Sequence, residues 1–174
     1  LMENLLHWVK SQMNAASIYP QPLDMHTIAE EVINVQQLQA SSKNISISCS
    51  IPKRSTAYAD KDMVKLVLRN LVSNAIKFTP VNGKINIQLK PEETFCRVSV
   101  KDNGIGMDEE SIKCIYQNNY YTTNGTAKES GTGLGLMLCK DFITKNGGTL
   151  QIESKPGKGS IFSFVLPVGE AEVL

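Results

Sequence analysis

Three short segments whose apolar residues recur at every second position, set among segments of helical spacing, constrain this chain more than any other feature. In 45–51, Ile45, Ile47, Cys49 and Ile51 alternate with three serines. Ile85, Ile87 and Leu89 form the apolar set in 84–90, and Cys96, Val98 and Val100 form it in 95–101. Segments 149–154 and 160–166 read as a final strand pair. A strand that alternates this way needs only one face covered. Pro91-Glu92-Glu93 predicts an antiparallel hairpin between 84–90 and 95–101. Pro156-Gly157-Lys158-Gly159 predicts a turn between the last two strands. Helical spacing predicts 24–40 behind an Asp24 cap, 60–78, a short 108–116 behind Asp108, and 134–146 ended by Gly147-Gly148. The expected fold class is therefore α/β: a two-layer sandwich of a mixed, mostly antiparallel sheet, covered on one face by three helices.

At 174 residues the chain is expected to hold one domain with a short appendage. Its 18 Lys+Arg against 17 Asp+Glu, net +1, leave no basic footprint for nucleic acid. No apolar run is long enough to span a bilayer, so no direct membrane contact is expected. The start lacks the charged-then-apolar pattern of a secretory leader, and a cytoplasmic setting is expected. Cys49, Cys96, Cys114 and Cys139 lie 47, 18 and 25 residues apart, which fits neither a zinc ribbon nor a disulfide frame. They read as buried small hydrophobes in a reducing compartment. In 1–17, Met2, Leu6, Val9 and Met13 make a heptad-compatible stripe. This helix starts without a cap, as if a longer element were cut, and Pro20 and Pro22 end it.

Three constellations carry chemistry. On helix 60–78, Val64, Val67, Leu68, Leu71, Val72 and Ala75 share one broad arc. Asn70, Asn74 and Lys77 fall at about 0°, +40° and −20° on a separate polar stripe. Two amides and an ammonium in line suit a Mg-triphosphate: an amide oxygen can bind Mg²⁺, and Lys can meet phosphate as a point charge. The bland alternative is a solvated helix face, although mid-helix asparagines need a reason. The second constellation is Asp102-Asn103-Gly104-Ile105-Gly106-Met107, directly after a strand. Its carboxylate is placed to accept from an exocyclic amine such as that of adenine, with Ile105 and Met107 walling a flat apolar slot. Its alternative is a simple capped turn. The third is Gly131-Thr132-Gly133-Leu134-Gly135-Leu136, opening helix 134–146. Exposed N–H groups and the helix dipole make an anion site there. Its spacing fits neither the dinucleotide fingerprint nor, with Gly157-Lys158-Gly159-Ser160, the P-loop. The polar stretch 117–130 before it reads as a lid or as plain disorder, with Lys128 able to reach phosphate.

In this order, the motifs resemble those of the ATP-binding catalytic domain of two-component sensor histidine kinases. That superfamily also holds DNA gyrase, mismatch-repair and heat-shock chaperone ATPases. Asn70-Leu-Val-Ser-Asn74-Ala-Ile-Lys77-Phe78-Thr79-Pro80 resembles the N box, Asp102-Asn-Gly104-Ile-Gly106 the G1 box, and Gly131-Thr-Gly133-Leu-Gly135-Leu the G2 box. Gly157-Lys-Gly159-Ser160 with Phe162 and Phe164 resembles the closing G3 element.

The resemblance covers 22–168 as the ATP-binding domain, with 169–174 as a tail. It makes 1–17 the remnant of the dimerisation helix, and it implies the family's left-handed-crossover (Bergerat) sandwich. It further implies ATP and Mg²⁺ as ligands, with Asn74 on the metal and Asn70 and Lys77 on metal or phosphates. Asp102 would read the adenine amine with Ser160 nearby, and the G2 glycines would border the triphosphate. The implied partners are the protein's own dimerisation and histidine-phosphotransfer domain and a downstream receiver domain, with a homodimeric parent. A nucleotide-binding module without kinase activity and a hydrolytic ATPase are the alternatives. Against hydrolysis, no carboxylate lies on the 70-74-77 stripe, and an amide cannot act as a general base. Two departures stand out. The F-box position reads Ile115-Tyr116-Gln117-Asn118-Asn119-Tyr120-Tyr121, with tyrosines where the family offers phenylalanines. And His7 and His26 are both without a following acid, so neither reads as a phosphoacceptor.

Overall fold

The computed structural model describes residues 17–117, 125–126 and 134–170. The expected helix 1–17, but for residue 17, and residues 171–174 of the expected tail 169–174 therefore lie outside the described residues.

Seven strands and four helices follow one another: β1 (Pro20–Asp24), α1 (Met25–Ser42), β2 (Ser46–Ser50), β3 (Thr56–Asp60), α2 (Lys61–Phe78), β4 (Lys84–Pro91), β5 (Phe95–Asp102), α3 (Glu109–Tyr116), α4 (Gly135–Lys145), β6 (Leu150–Lys155) and β7 (Gly159–Pro167). Five strands form one sheet in the order β2-β4-β5-β7-β6. Only β2 and β4 run parallel, so the sheet is mixed and mostly antiparallel, as expected.

One face of this sheet presents Ile85, Ile87, Val98, Val100, Phe162 and Phe164 to the helices, and all are buried. The other face carries polar ladders: Asn86 donates to the Ser48 and Ser50 hydroxyls, and Ser99 pairs with Ser163. A side-chain period of two on strands with one wet face produces this division. Helices α1, α2 and α4 pack over the apolar face, and α3 sits at the β6 edge. Helix α2 alone buries Val64, Leu66, Val67, Leu68, Leu71, Val72, Ala75 and Ile76. Each large apolar side chain buried there stabilises the fold by roughly 1.5–3 kcal/mol relative to exposure.

The caps at Asp24 and Asp108 are those expected, and Asp60, read as the first residue of its helix, proves to be its cap. Asp24 accepts from the His26 and Thr27 N–H groups, and Asp108 from Ser111. Asp60 caps α2 through Met63, and its second oxygen accepts the Tyr19 N–H.

Two features differ from expectation. Pro20 and Pro22 do not merely end a helix; they lie in β1, which pairs antiparallel with β3 in a separate ribbon. Proline removes a ladder donor, and a two-stranded ribbon tolerates this because each strand has a free edge. And of the four thiols, Cys96 and Cys139 are buried, but Cys49 and Cys114 are only half-buried. They stand on the edge strand β2 and the peripheral helix α3, where less of the core covers them.

Candidate functional site

The site is built around the C-terminal half of α2. Asn70, Asn74, Lys77 and Phe78 are all half-buried rather than solvated. Helix α4 covers Asn70: a Cβ on Gly135 would stand 3.6 Å from the Asn70 amide oxygen. The Cys139 thiol also sits beside that amide, and burial pushes it up to about 12. Asn70 thus lies at the seam between α2 and α4, and Leu66, one turn earlier, is buried. The N-cap position of α4 is Leu134, with no side-chain cap. Half-buried Leu134, Gly135 and Leu136 therefore bring a helix N-terminus against Asn70.

At the other end of α2, the Phe78 carbonyl accepts the Ile105 N–H at 3.1 Å. A Cβ on Gly104 would meet that same carbonyl oxygen at 2.3 Å, so only glycine allows the loop to close on the helix. The Lys77 ammonium lies 5.0 Å above the Phe78 ring.

Asp102 ends β5 and is 6% exposed. Its Oδ1 accepts the Gly104 N–H at 2.8 Å and the Ser160 N–H at 3.2 Å. Among the described residues nothing donates to Oδ2. Burial holds the carboxyl above the ordinary carboxylate range, and the two N–H donors offset this in part. Gly106, at φ +68°, brings its backbone against Lys155, where a Cβ would meet the carbonyl oxygen at 2.0 Å. Met107 is half-buried, and its N–H donates to Ser154 Oγ at 2.8 Å. Ser154 and Ser160 join their hydroxyls at 2.8 Å. The loop after β5 is thereby tied to α2 on one side and to the β6–β7 hairpin on the other.

Of the residues singled out in the sequence, Asn70, Asn74, Lys77, Phe78, Asp102, Gly104, Gly106, Met107, Leu134, Gly135, Leu136 and Ser160 line these connected elements. Lys128, Gly131, Thr132 and Gly133 lie outside the described residues. Ser160 contributes its backbone N–H to Asp102 rather than its hydroxyl, which turns to Ser154. Ser154 had no signal in the sequence beyond its place in an alternating strand. At the F-box position the Tyr116 hydroxyl accepts the Ile152 N–H at 2.8 Å, and Lys140 Nζ donates to the Tyr116 carbonyl at 2.8 Å. These bonds fasten α3 to β6 and α4, and the first of them is closed to phenylalanine. His26 places Nδ1 2.6 Å from the Ile51 carbonyl. His7 lies outside the described residues.

The donors fit a metal carried by a ligand better than a preformed cage. No group of three or more His, Cys, Asp or Glu side chains capable of holding a metal occurs among the described residues. What α2 and the elements around it offer is amide oxygens, the Lys77 ammonium and glycine-lined backbone, a donor set that suits a hydrated Mg²⁺ arriving on phosphates.

A family model described as histidine kinase-, DNA gyrase B-, and HSP90-like ATPase matches residues 59–170. The adaptive-response sensory kinase SasA of Synechocystis sp. is 32% identical over 170 residues, covering 97% of this chain and 44% of that protein. The non-motile and phage-resistance protein of Caulobacter vibrioides is 31% identical over 177 residues, covering 99% of this chain and 21% of that protein. The chain thus spans less than half the length of these curated relatives. Among solved structures, the catalytic domain of histidine kinase ThkA is similar with a TM-score of 0.75 at 31% identity, covering 86% of this chain and 98% of that one. A structure of ThkA in complex with the response regulator protein TrrA is similar with a TM-score of 0.75 at 26% identity, over 97% of this chain and 48% of that one.

Proposed function

Because this chain belongs to the histidine kinase-, DNA gyrase B- and HSP90-like ATPase family, as an ATP-binding catalytic domain of the sensor-kinase kind, we propose that it donates the γ-phosphoryl of Mg-ATP to a histidine on a dimerisation domain. In this reading Asp102 Oδ2 accepts from the adenine amine while Oδ1 stays on the loop backbone. Asn74 gives its amide oxygen to Mg²⁺, and Asn70 and Lys77 meet metal or phosphate. The first turn of α4, preceded by Gly131, Thr132, Gly133 and Lys128, borders the triphosphate. When bound, Mg²⁺ supplies charge neutralisation across the phosphate oxygens. The chain's own residues orient the nucleotide and hold its charge. The stripe offers no base for water, because Asn70 occupies the turn before Asn74 and an amide cannot take up a proton. The phosphoryl group is therefore kept for an imidazole nitrogen, with ADP leaving. A response-regulator receiver is the kind of partner that follows, and a homodimeric, membrane-anchored parent with a cytoplasmic kinase portion is part of the same proposal.

The observation that carries this reading is Asp102: a buried carboxylate with one oxygen tied to backbone and the other without a donor among the described residues, at a loop that touches α2. Calorimetric titration of the chain with AMPPNP, with and without Mg²⁺, tests it. Asn74→Ala should weaken the Mg²⁺-dependent affinity by about tenfold or more, as expected for a lost contact to a charged group. No binding by the parent chain, or binding untouched by Asn74→Ala, would overturn it.

A further inference from the structure

Lys43 stands where α1 ends, and its peptide carbonyl accepts the Asn82 N–H. The residue is only 6% exposed, so its ammonium is placed where an unmet charge would be expensive. Its Nζ donates to the Ile76 carbonyl at 2.8 Å, to the Lys77 carbonyl at 3.2 Å and to Thr126 Oγ1 at 2.6 Å. The two carbonyls belong to the last turn of α2, where the helix dipole favours a positive charge. Thr126 completes the cluster. Its N–H donates to the Lys77 carbonyl at 3.0 Å. Its hydroxyl, accepting from Lys43, has the Thr79 carbonyl at 3.1 Å and the Lys77 carbonyl at 3.3 Å as acceptors. Three stretches distant in sequence thus meet on the backbone of the residue that carries the Lys77 ammonium. In sequence, Thr126 stands two residues before Lys128 and five before Gly131.

Resting on the nucleotide reading above, we propose that Lys43 is a positioning residue for the phosphate end of the site. From the junction of α1 and β2 it joins the turn that presents Lys77 to the segment around Thr126. The proposed contact to the base, Asp102, stands apart from it at the end of β5. Its influence should therefore fall on phosphates and not on adenine.

The test compares two ligands on the intact chain, Mg-AMPPNP and AMP, by calorimetry and competition. Lys43→Met should weaken AMPPNP by about tenfold or more, the scale of a lost hydrogen bond to a charged group. AMP should change by less than about twofold, within the same conversion. Thr126→Val, at an exposed residue, should show the same selective loss to a smaller degree. The double variant should be no weaker than Lys43→Met alone, because the two act through one contact. Should Lys43→Met fail to fold, Thr126→Val carries the test. An unchanged AMPPNP-to-AMP ratio overturns the assignment, and so do equal losses for both ligands, which mark a scaffold role. Failure of the parent chain to bind AMPPNP instead sinks the nucleotide reading itself.

Discussion

Asp102→Asn separates reading of the base from support of the loop. The amide keeps an oxygen of the same size in the place of Oδ1, so the bonds from Gly104 at 2.8 Å and Ser160 at 3.2 Å survive. The NH₂ group then occupies the place of Oδ2 and turns an acceptor into a donor. An adenine amine loses a charge-assisted hydrogen bond worth about 1.5–3 kcal/mol, which is about 10- to 150-fold in affinity. A 6-oxo purine presents an acceptor there, so inosine triphosphate should gain on ATP in competition.

Stability should move differently. Burial raises the Asp102 carboxyl above its ordinary value, so the folded state favours the protonated form. The stabilisation this gives is present below the unfolded-state value and is lost as pH rises through the folded one. At neutral pH the ionised side chain is therefore a cost that asparagine removes, and the melting midpoint of the variant should not fall below that of the parent. The advantage should shrink as pH drops toward the ordinary carboxylate range. Over the same descent the adenine affinity of the parent should weaken, and that of the variant should not. Calorimetry with AMPPNP and thermal melts across pH read both effects. A folded variant with unchanged ATP affinity and an unchanged ATP-to-ITP ratio would refute the reasoning.

Gly106→Ala should cost about 1–3 kcal/mol in urea unfolding, because it forces an L side chain into a left-handed backbone and against the Lys155 carbonyl. Gly135→Ala, with only the Asn70 amide oxygen at 3.6 Å, should stay within about 0.5 kcal/mol; equal losses at both sites would contradict the close-approach account. Tyr116→Phe deletes the acceptor of the Ile152 N–H and should lower stability by about 0.5–1.5 kcal/mol, measured the same way. Disulfide-exchange labelling at about pH 8 should modify Cys49 and Cys114 first. Cys96 and Cys139, raised by burial to about 11 and about 12, should react only on unfolding. Rapid loss of all four thiols in the native chain would show a looser core.

The strands of the main sheet, the helices and the caps at Asp24 and Asp108 were legible in the chain, because period-two and helical spacing are local signals. So were the glycines and Asp102, since a tight turn after a strand leaves its mark in consecutive residues. β1 escaped because two prolines in five residues argue against a strand until a partner is known, and β3 because it is short and built on small alanines. Half-burial of Asn70 was equally hidden, since angles around one helix axis do not reveal that α4 will pack against it. Lys43 and Ser154 gave no signal, because their roles consist of hydrogen bonds to backbone 33 or more residues away in one case and to the Met107 N–H in the other. The chain alone determined which elements form and which faces are apolar. Packing decided where those faces meet, and hence which buried polar atoms find partners, because that free energy exists only once distant segments exclude water together.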